Sequence, residues 1–201
     1  MFSELERMYF PFDENNIPEN GIYILFEKAE YGHGTDRIVR VGTHTGKNQL
    51  RSRLKQHFIN ENKDRSIFRK NIGRTFLNMD NDTFIDQWEL DLTTRENKEK
   101  YFNIIDFNKQ EKTEKRVSKY IQDNFSFVVF EVSDKDKRIE LESKLISTIS
   151  LCTECKSTET WFGKNSPKKK IRESGLWLVN NLYKTPLSDN EIGQLELILH
   201  E

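Results

Sequence analysis

Two short apolar runs stand close together near the start of the chain, GIYILFE at residues 21–27 and RIVRVG at 37–42. Each has the length and composition of a β-strand. The first is apolar almost throughout, as expected of a strand covered on both faces. The nine residues between them, 28–36, include Gly32 and Gly34 and read as a loop. Such a connection fits an antiparallel hairpin with a longer link than the tight two-residue type. Each run nevertheless carries a polar intruder, Tyr23 in the first and Arg40 in the second.

The remaining elements follow from periodicity. Residues 1–19 read as a polar lead-in ending near Pro18. Leu50, Leu54 and Phe58 mark one stripe of a helix over about 49–60, and Ile67, Phe68, Ile72 and Phe76 mark a second over 66–77. Residues 78–124 are the most charged part and read as a partly helical insertion, with a clearer helix near 112–123. FSFVVFEV at 125–132 is a third strand; 135–150 and 188–200 are helical, and 151–201 forms a C-terminal extension. The order predicts an α+β fold, a small three-stranded antiparallel sheet flanked by helices, in one domain over 1–201.

Charge is distributed unevenly. The net charge is −1, yet residues 47–74 and 160–172 together carry +12, so the remainder carries −13. Two basic segments on an acidic body suit a polyanion-binding face, the alternative being solvated helix surface. Lys47, Arg51, Lys55, Arg69 and Lys70 in the first segment, and Asn165, Ser166, Lys168, Lys169 and Lys170 in the second, are candidate nucleic-acid contacts. No apolar run approaches the roughly 20 residues of a membrane helix, and the N-terminus lacks a signal-peptide pattern. The expectation is a soluble cytoplasmic protein. Cys152 and Cys155 form one CxxC. A structural zinc usually takes four ligands, no second CxxC exists, and no His has a spacing that completes a site, so the pair reads as incidental.

Helix periodicity exposes further misplaced polar groups. At about 100° per residue, Ile139, Leu141, Leu145, Ile146 and Ile149 define an apolar face with Glu142 near its middle. A carboxylate aimed at a core needs a cation, either a buried Arg or Lys or a metal ion. Arg53 and His57, four apart, share the stripe that borders the buried face of the first helix. Phenol, imidazole, guanidinium and carboxylate together suit metal-assisted phosphodiester hydrolysis. The carboxylate holds a divalent ion, a phenol or imidazole helps deprotonate water, and arginine neutralises the transition state.

These motifs resemble those of the GIY-YIG nucleases. Gly21-Ile22-Tyr23 stands intact as the first motif. Arg40-Val41-Gly42 represents the second, with Arg where the family has tyrosine. RLKQHF at 53–58 is similar to the helix motif, with Arg53 at the catalytic arginine and His57 at a position often His or Tyr. ESKLI at 142–146 is similar to the glutamate motif. The resemblance spans about 21–149, interrupted by 78–124. It implies one Mg²⁺-type ion (Mg²⁺ or Mn²⁺) on Glu142, a general-base role around Tyr23 and phosphate contact from Arg53. Restriction-type members look closest, and they imply double-stranded DNA as partner, with a homodimer if both strands of a palindrome are cut.

Two departures stand out. Arg40 lacks the phenolic proton, but its charge favours the phenolate of a neighbouring tyrosine; alternatively it marks a site adapted to binding, with catalysis weak or lost. His44, two residues beyond Gly42, is a candidate for the missing proton chemistry. The family asparagine that follows the glutamate helix is Asn165 or, failing that, Asn180. A nuclease acting on RNA or on branched repair intermediates is a further alternative.

Overall fold

The computed structural model describes residues 1–200, the side chain of His200 apart. β2 (Gly21–Gly32) and β3 (Thr35–Gly42) form the expected hairpin, but its strands are longer and its turn tighter than the apolar runs suggest. Only His33 and Gly34 turn the chain, both at positive φ, 53° and 74°. That is the backbone hand that matches the twist of a two-residue hairpin. The polar tail of β2, KAEYG, hides its strand character. Register shifts around Phe26, with Ala29 at φ 66°, absorb the extra residues.

β4 (Phe125–Glu131) pairs antiparallel with the other edge of β2. A two-residue strand, β1 (Met8–Tyr9), adds to the outer edge of β4 and gives the order β1-β4-β2-β3. The sheet therefore has four strands where the sequence suggests three, because two residues within a polar lead-in leave no periodic signal.

Alternation along the central strand feeds two cores. Tyr23 and Leu25 share one side with Val39 and Phe127. There they meet α1 (Leu50–Phe58), α2 (Ile67–Met79) and α5 (Phe107–Asn124), through Leu54, Ile72 and Ile121 among others. Ile22, Ile24 and Phe26 face the other side with Val41, Val128 and Phe130. That side is covered by Leu145 and Ile146 of α6 (Lys135–Leu151) and Leu195 of the last helix. No helix among the described residues is long and apolar enough to cross a membrane.

The charged segment 78–124 is more than a solvated face. α3 (Ile85–Glu89) buries Trp88, and α4 (Arg95–Tyr101) follows on the surface. α5 starts at the Asp106 cap and places Val117 and Ile121 in the first core. Its Glu114 forms a buried ion pair with Arg69 of α2 at 2.7 Å. After α6 the chain makes a 3₁₀ turn at Phe162–Asn165, then α7 (Lys169–Ser174) and α8 (Asp189–His200).

Candidate active site

The hairpin register sets Tyr23 opposite Gly42. A Cβ on residue 42 would fall 2.2 Å from Tyr23 Oη, so the phenol rests where only glycine leaves room. The ring is fully buried. Its Oη lies 2.7 Å from His57 Nε2 of α1. Arg40, paired with Leu25 and so on the same sheet face as Tyr23, donates from Nε to that oxygen at 3.3 Å. Its Nη1 donates to the Trp177 carbonyl at 2.5 Å. The two polar intruders of the hairpin thus meet diagonally across the paired strands.

His57 is buried too, and its Nδ1 lies 2.7 Å from Ser66 Oγ. Ser66 is the N-cap of α2, accepting the Arg69 N–H at 3.2 Å. Burial pushes the imidazole well below the usual histidine value, and the positive charges of Arg53, Arg40 and Arg69 add to that. The ring is therefore neutral. With Nδ1–H donated to Ser66, Nε2 accepts the Tyr23 hydroxyl proton while the phenolic oxygen accepts from Arg40.

Glu142 reaches the same neighbourhood from α6, whose first turn is capped by Asp134. Its Oε1 accepts the backbone N–H of Thr43, the first residue after β3, at 3.0 Å. Burial raises its carboxyl above the usual range, opposed by the charges of Arg40 and Arg53 and by the Thr43 N–H. Among the described residues no Lys, Arg or His nitrogen lies within 4.0 Å ion-pairing distance of it. The carboxylate is thus half-buried without a permanent counter-ion.

Beside this cluster lies an open polar depression lined by Thr43, His44, Gln49, Arg53, Gln56 and Arg65. Arg53 lies partly exposed there, with Nη1 donating to Gln56 Oε1 at 3.0 Å and to the Arg65 carbonyl at 2.9 Å. His44 is nearly buried. Its Nδ1 donates to the Gly46 carbonyl at 2.7 Å and its Nε2 accepts the Gly21 N–H at 3.4 Å. Burial lowers its proton affinity, and both nitrogens are already engaged. It acts as a brace between two backbone segments, without a free nitrogen for the proton chemistry the sequence suggests.

The candidate nucleic-acid contacts divide. Lys47, Asn165, Lys168, Lys169 and Lys170 are exposed. Arg51 donates to the Ile17 carbonyl at 2.7 Å, and Lys55 pairs with Glu14 at 3.1 Å, both partly exposed. Arg69 and Lys70 point inward: Arg69 pairs with Glu114, and Lys70 pairs with Asp64 at 3.0 Å. Ser166 is buried and its Oγ accepts the Lys168 N–H at 3.2 Å. These three have little or no surface to offer a phosphate, because the chain turns them inward at those positions. Asn165 and Asn180 are both exposed, and Asn165 Nδ2 donates to Phe162 O at 3.3 Å.

Three contributors escape a reading of the sequence. Thr43 and Trp177 act through their backbones, which leave no residue-type signal. Ser66 does have one, since a serine directly before an apolar helical run is an N-cap pattern.

A small antiparallel sheet with helices on both faces, gathering a phenol, an imidazole, two guanidinium groups and a carboxylate at one end of a hairpin, is the frame of a nuclease-type domain. The family model of the GIY-YIG domain matches residues 6–200, and the chain belongs to that family. Membership carries a nuclease-type hydrolase function in general. No curated protein and no solved structure matches the chain.

Proposed function

We propose that the chain is a divalent-metal-dependent endonuclease that hydrolyses phosphodiester bonds of double-stranded DNA, of restriction-like type. The observation that carries this reading is Glu142, a half-buried carboxylate with one oxygen on the Thr43 N–H and no cation of the described residues within ion-pairing distance. A partly buried carboxylate whose opposing charges, Arg40 and Arg53, stand beyond ion-pairing distance gains from a cation that joins it directly. A hard, oxygen-seeking ion such as Mg²⁺ or Mn²⁺ fits that requirement. When bound, such an ion supplies charge stabilisation at the phosphate and leaving oxygen.

The protein's own groups do the rest. Arg53, at the open depression, binds a phosphate oxygen and offsets charge that grows during cleavage. Arg40, held by the Trp177 carbonyl, keeps its positive guanidinium beside Tyr23 Oη, where it favours the phenolate. His57 is the proton acceptor for that hydroxyl, so the phenol and imidazole form a relay that takes a proton from the reaction side. The exposed Lys168, Lys169 and Lys170 add phosphate contacts that position the duplex.

The burial of Tyr23 supports a second reading, a nucleic-acid-binding module whose catalysis is weak or lost. A phenol with no exposed surface reaches a scissile phosphate only after the site opens. Incubation with supercoiled plasmid and Mg²⁺ or Mn²⁺ separates the two. The nuclease nicks or linearises plasmid and stops on chelation with EDTA. Salt-sensitive binding with no cleavage supports the module. Cleavage confined to RNA or branched DNA overturns the choice of substrate.

A further inference from the structure

The tip of the hairpin brings together three side chains from distant parts of the chain. His33 Nε2 lies 3.1 Å from Cys152 Sγ and 3.1 Å from Cys155 Sγ, across 119 and 122 residues. All three donor atoms lie within 4.8 Å of one another. His33 occupies the left-handed turn position between β2 and β3, a conformation histidine tolerates better than most residues. Cys152 is the C-cap that follows α6, and Cys155 comes three residues later in the loop.

The spacing matches a known coordination chemistry. Tetrahedral zinc binds nitrogen at about 2.0 Å and thiolate sulfur at about 2.3 Å, which separates the donors by about 3.5 Å. The observed His–Cys separations lie within a few tenths of an ångström of that. The other imidazole nitrogen, Nδ1, lies 3.3 Å from Glu154 Oε2. A carboxylate on the far nitrogen is the usual partner of a metal-bound histidine, because it fixes the tautomer and strengthens the ligand. Glu154 stands between the two cysteines, so one short loop supplies both thiolates and the orienting carboxylate.

The loop is also anchored before any ion arrives. Buried Glu30 of β2 accepts the Thr158 N–H at 3.2 Å and the Thr158 hydroxyl, and pairs with Arg37 of β3 at 2.6 Å. Arg37 in turn donates to the Gly175 carbonyl at 2.5 Å. The ligand-bearing loop is thus tied to the hairpin by a separate buried network.

We propose that His33, Cys152 and Cys155 form a zinc site, with water as fourth ligand and Glu154 orienting the histidine. Thiolate ligands select a soft ion such as Zn²⁺ over Mg²⁺, so this site is distinct in metal as well as place from Glu142. It clips the tip of the β2–β3 hairpin to the end of α6. Those same two elements carry Tyr23 and Arg40 on one side and Glu142 on the other. The clip holds the two halves of the candidate active site at fixed separation, and it stands whether or not that site cleaves DNA.

The test is Co²⁺ titration of the full chain, free of any polyhistidine tag, under anaerobic reducing conditions. A thiolate-to-cobalt charge-transfer band with strong tetrahedral visible absorption is expected, saturating at about one equivalent. Zn²⁺ displaces the cobalt and excess Mg²⁺ does not. Cys152→Ser and Cys155→Ser each abolish the band. His33→Ala and Glu154→Gln, both at exposed positions, weaken affinity, the latter about 10- to 100-fold. Circular dichroism of the metal-free variants checks that they fold. Absence of the band, displacement by Mg²⁺, or unchanged affinity in His33→Ala overturns the site.

Discussion

Tyr23 Oη and His57 Nε2 are 2.7 Å apart in a fully buried contact, with Arg40 Nε 3.3 Å from the same oxygen. Removing the hydroxyl strands two polar partners. Tyr23→Phe is expected to lower stability by about 1–3 kcal/mol, because Arg40 and His57 are each left with a buried group unsatisfied. Cleavage is expected to fall about 100-fold or more with DNA affinity retained. Urea denaturation and single-turnover plasmid assays measure the two effects; unchanged turnover removes the phenol from the mechanism.

Gly42 faces that same ring. Gly42→Ala forces a methyl group to within 2.2 Å of Tyr23 Oη unless the sheet or ring shifts. Destabilisation by about 1–3 kcal/mol is expected from overpacking, together with weakened cleavage. Thermal unfolding and a crystal structure of the variant report both; a variant as stable as the parent contradicts the tight approach.

Protonation of His57 sets a pH signature. Its folded proton affinity lies well below the ordinary histidine value of 6.5, so between the two values the unfolded chain binds more protons than the folded one. Stability from this group is complete above about pH 6.5 and declines as pH falls, at up to about 1.4 kcal/mol per pH unit. Glu27, Glu114 and Glu142, raised by burial, act in the opposite sense in acid. Comparing wild type with His57→Asn isolates the histidine: between pH 7 and 5 the wild type becomes less stable relative to the variant, on the order of the slope given. A flat difference across that range contradicts a buried neutral imidazole.

Basic residues divide into phosphate contacts and structural ions, and the two behave differently on substitution. Lys168, Lys169 and Lys170 changed together to Ala leave the fold intact and lower the slope of log affinity against log salt by about 0.9 for each phosphate no longer neutralised. Arg69→Met leaves Glu114 buried and unpaired and costs about 3–5 kcal/mol, largely recovered by adding Glu114→Leu. Salt titration of DNA binding and chemical denaturation distinguish them. Weakened DNA binding in Arg69→Met at unchanged stability contradicts the inward assignment.

Much of the frame is legible in the sequence because burial on both sheet faces writes long apolar runs, as in residues 21–27 and 125–132. The site is legible where polar groups break those patterns: Tyr23, Arg40, His57 and Glu142 are all off-pattern, and the fold gathers them at one end of the hairpin. The direction of basic side chains is not legible, since Arg69 and Lys70 pair with acids 45 and 6 residues away that only the folded chain brings close. Backbone partners such as the Thr43 N–H and the Trp177 carbonyl carry no residue signal at all. Nor does spacing along the chain reveal the His33–Cys152–Cys155 cluster, whose members meet only through the hairpin turn.

Glu142 is the most direct measure of the account. Glu142→Gln keeps the size of the side chain and its acceptor for the Thr43 N–H, so fold and DNA binding are expected to persist. In Mg²⁺, wild type nicks supercoiled plasmid in single turnover, while the variant is expected to be slower by about 100-fold or more. Cleavage by Glu142→Gln at the wild-type rate, with the same Mg²⁺ dependence, contradicts the assignment of that carboxylate as the seat of the ion.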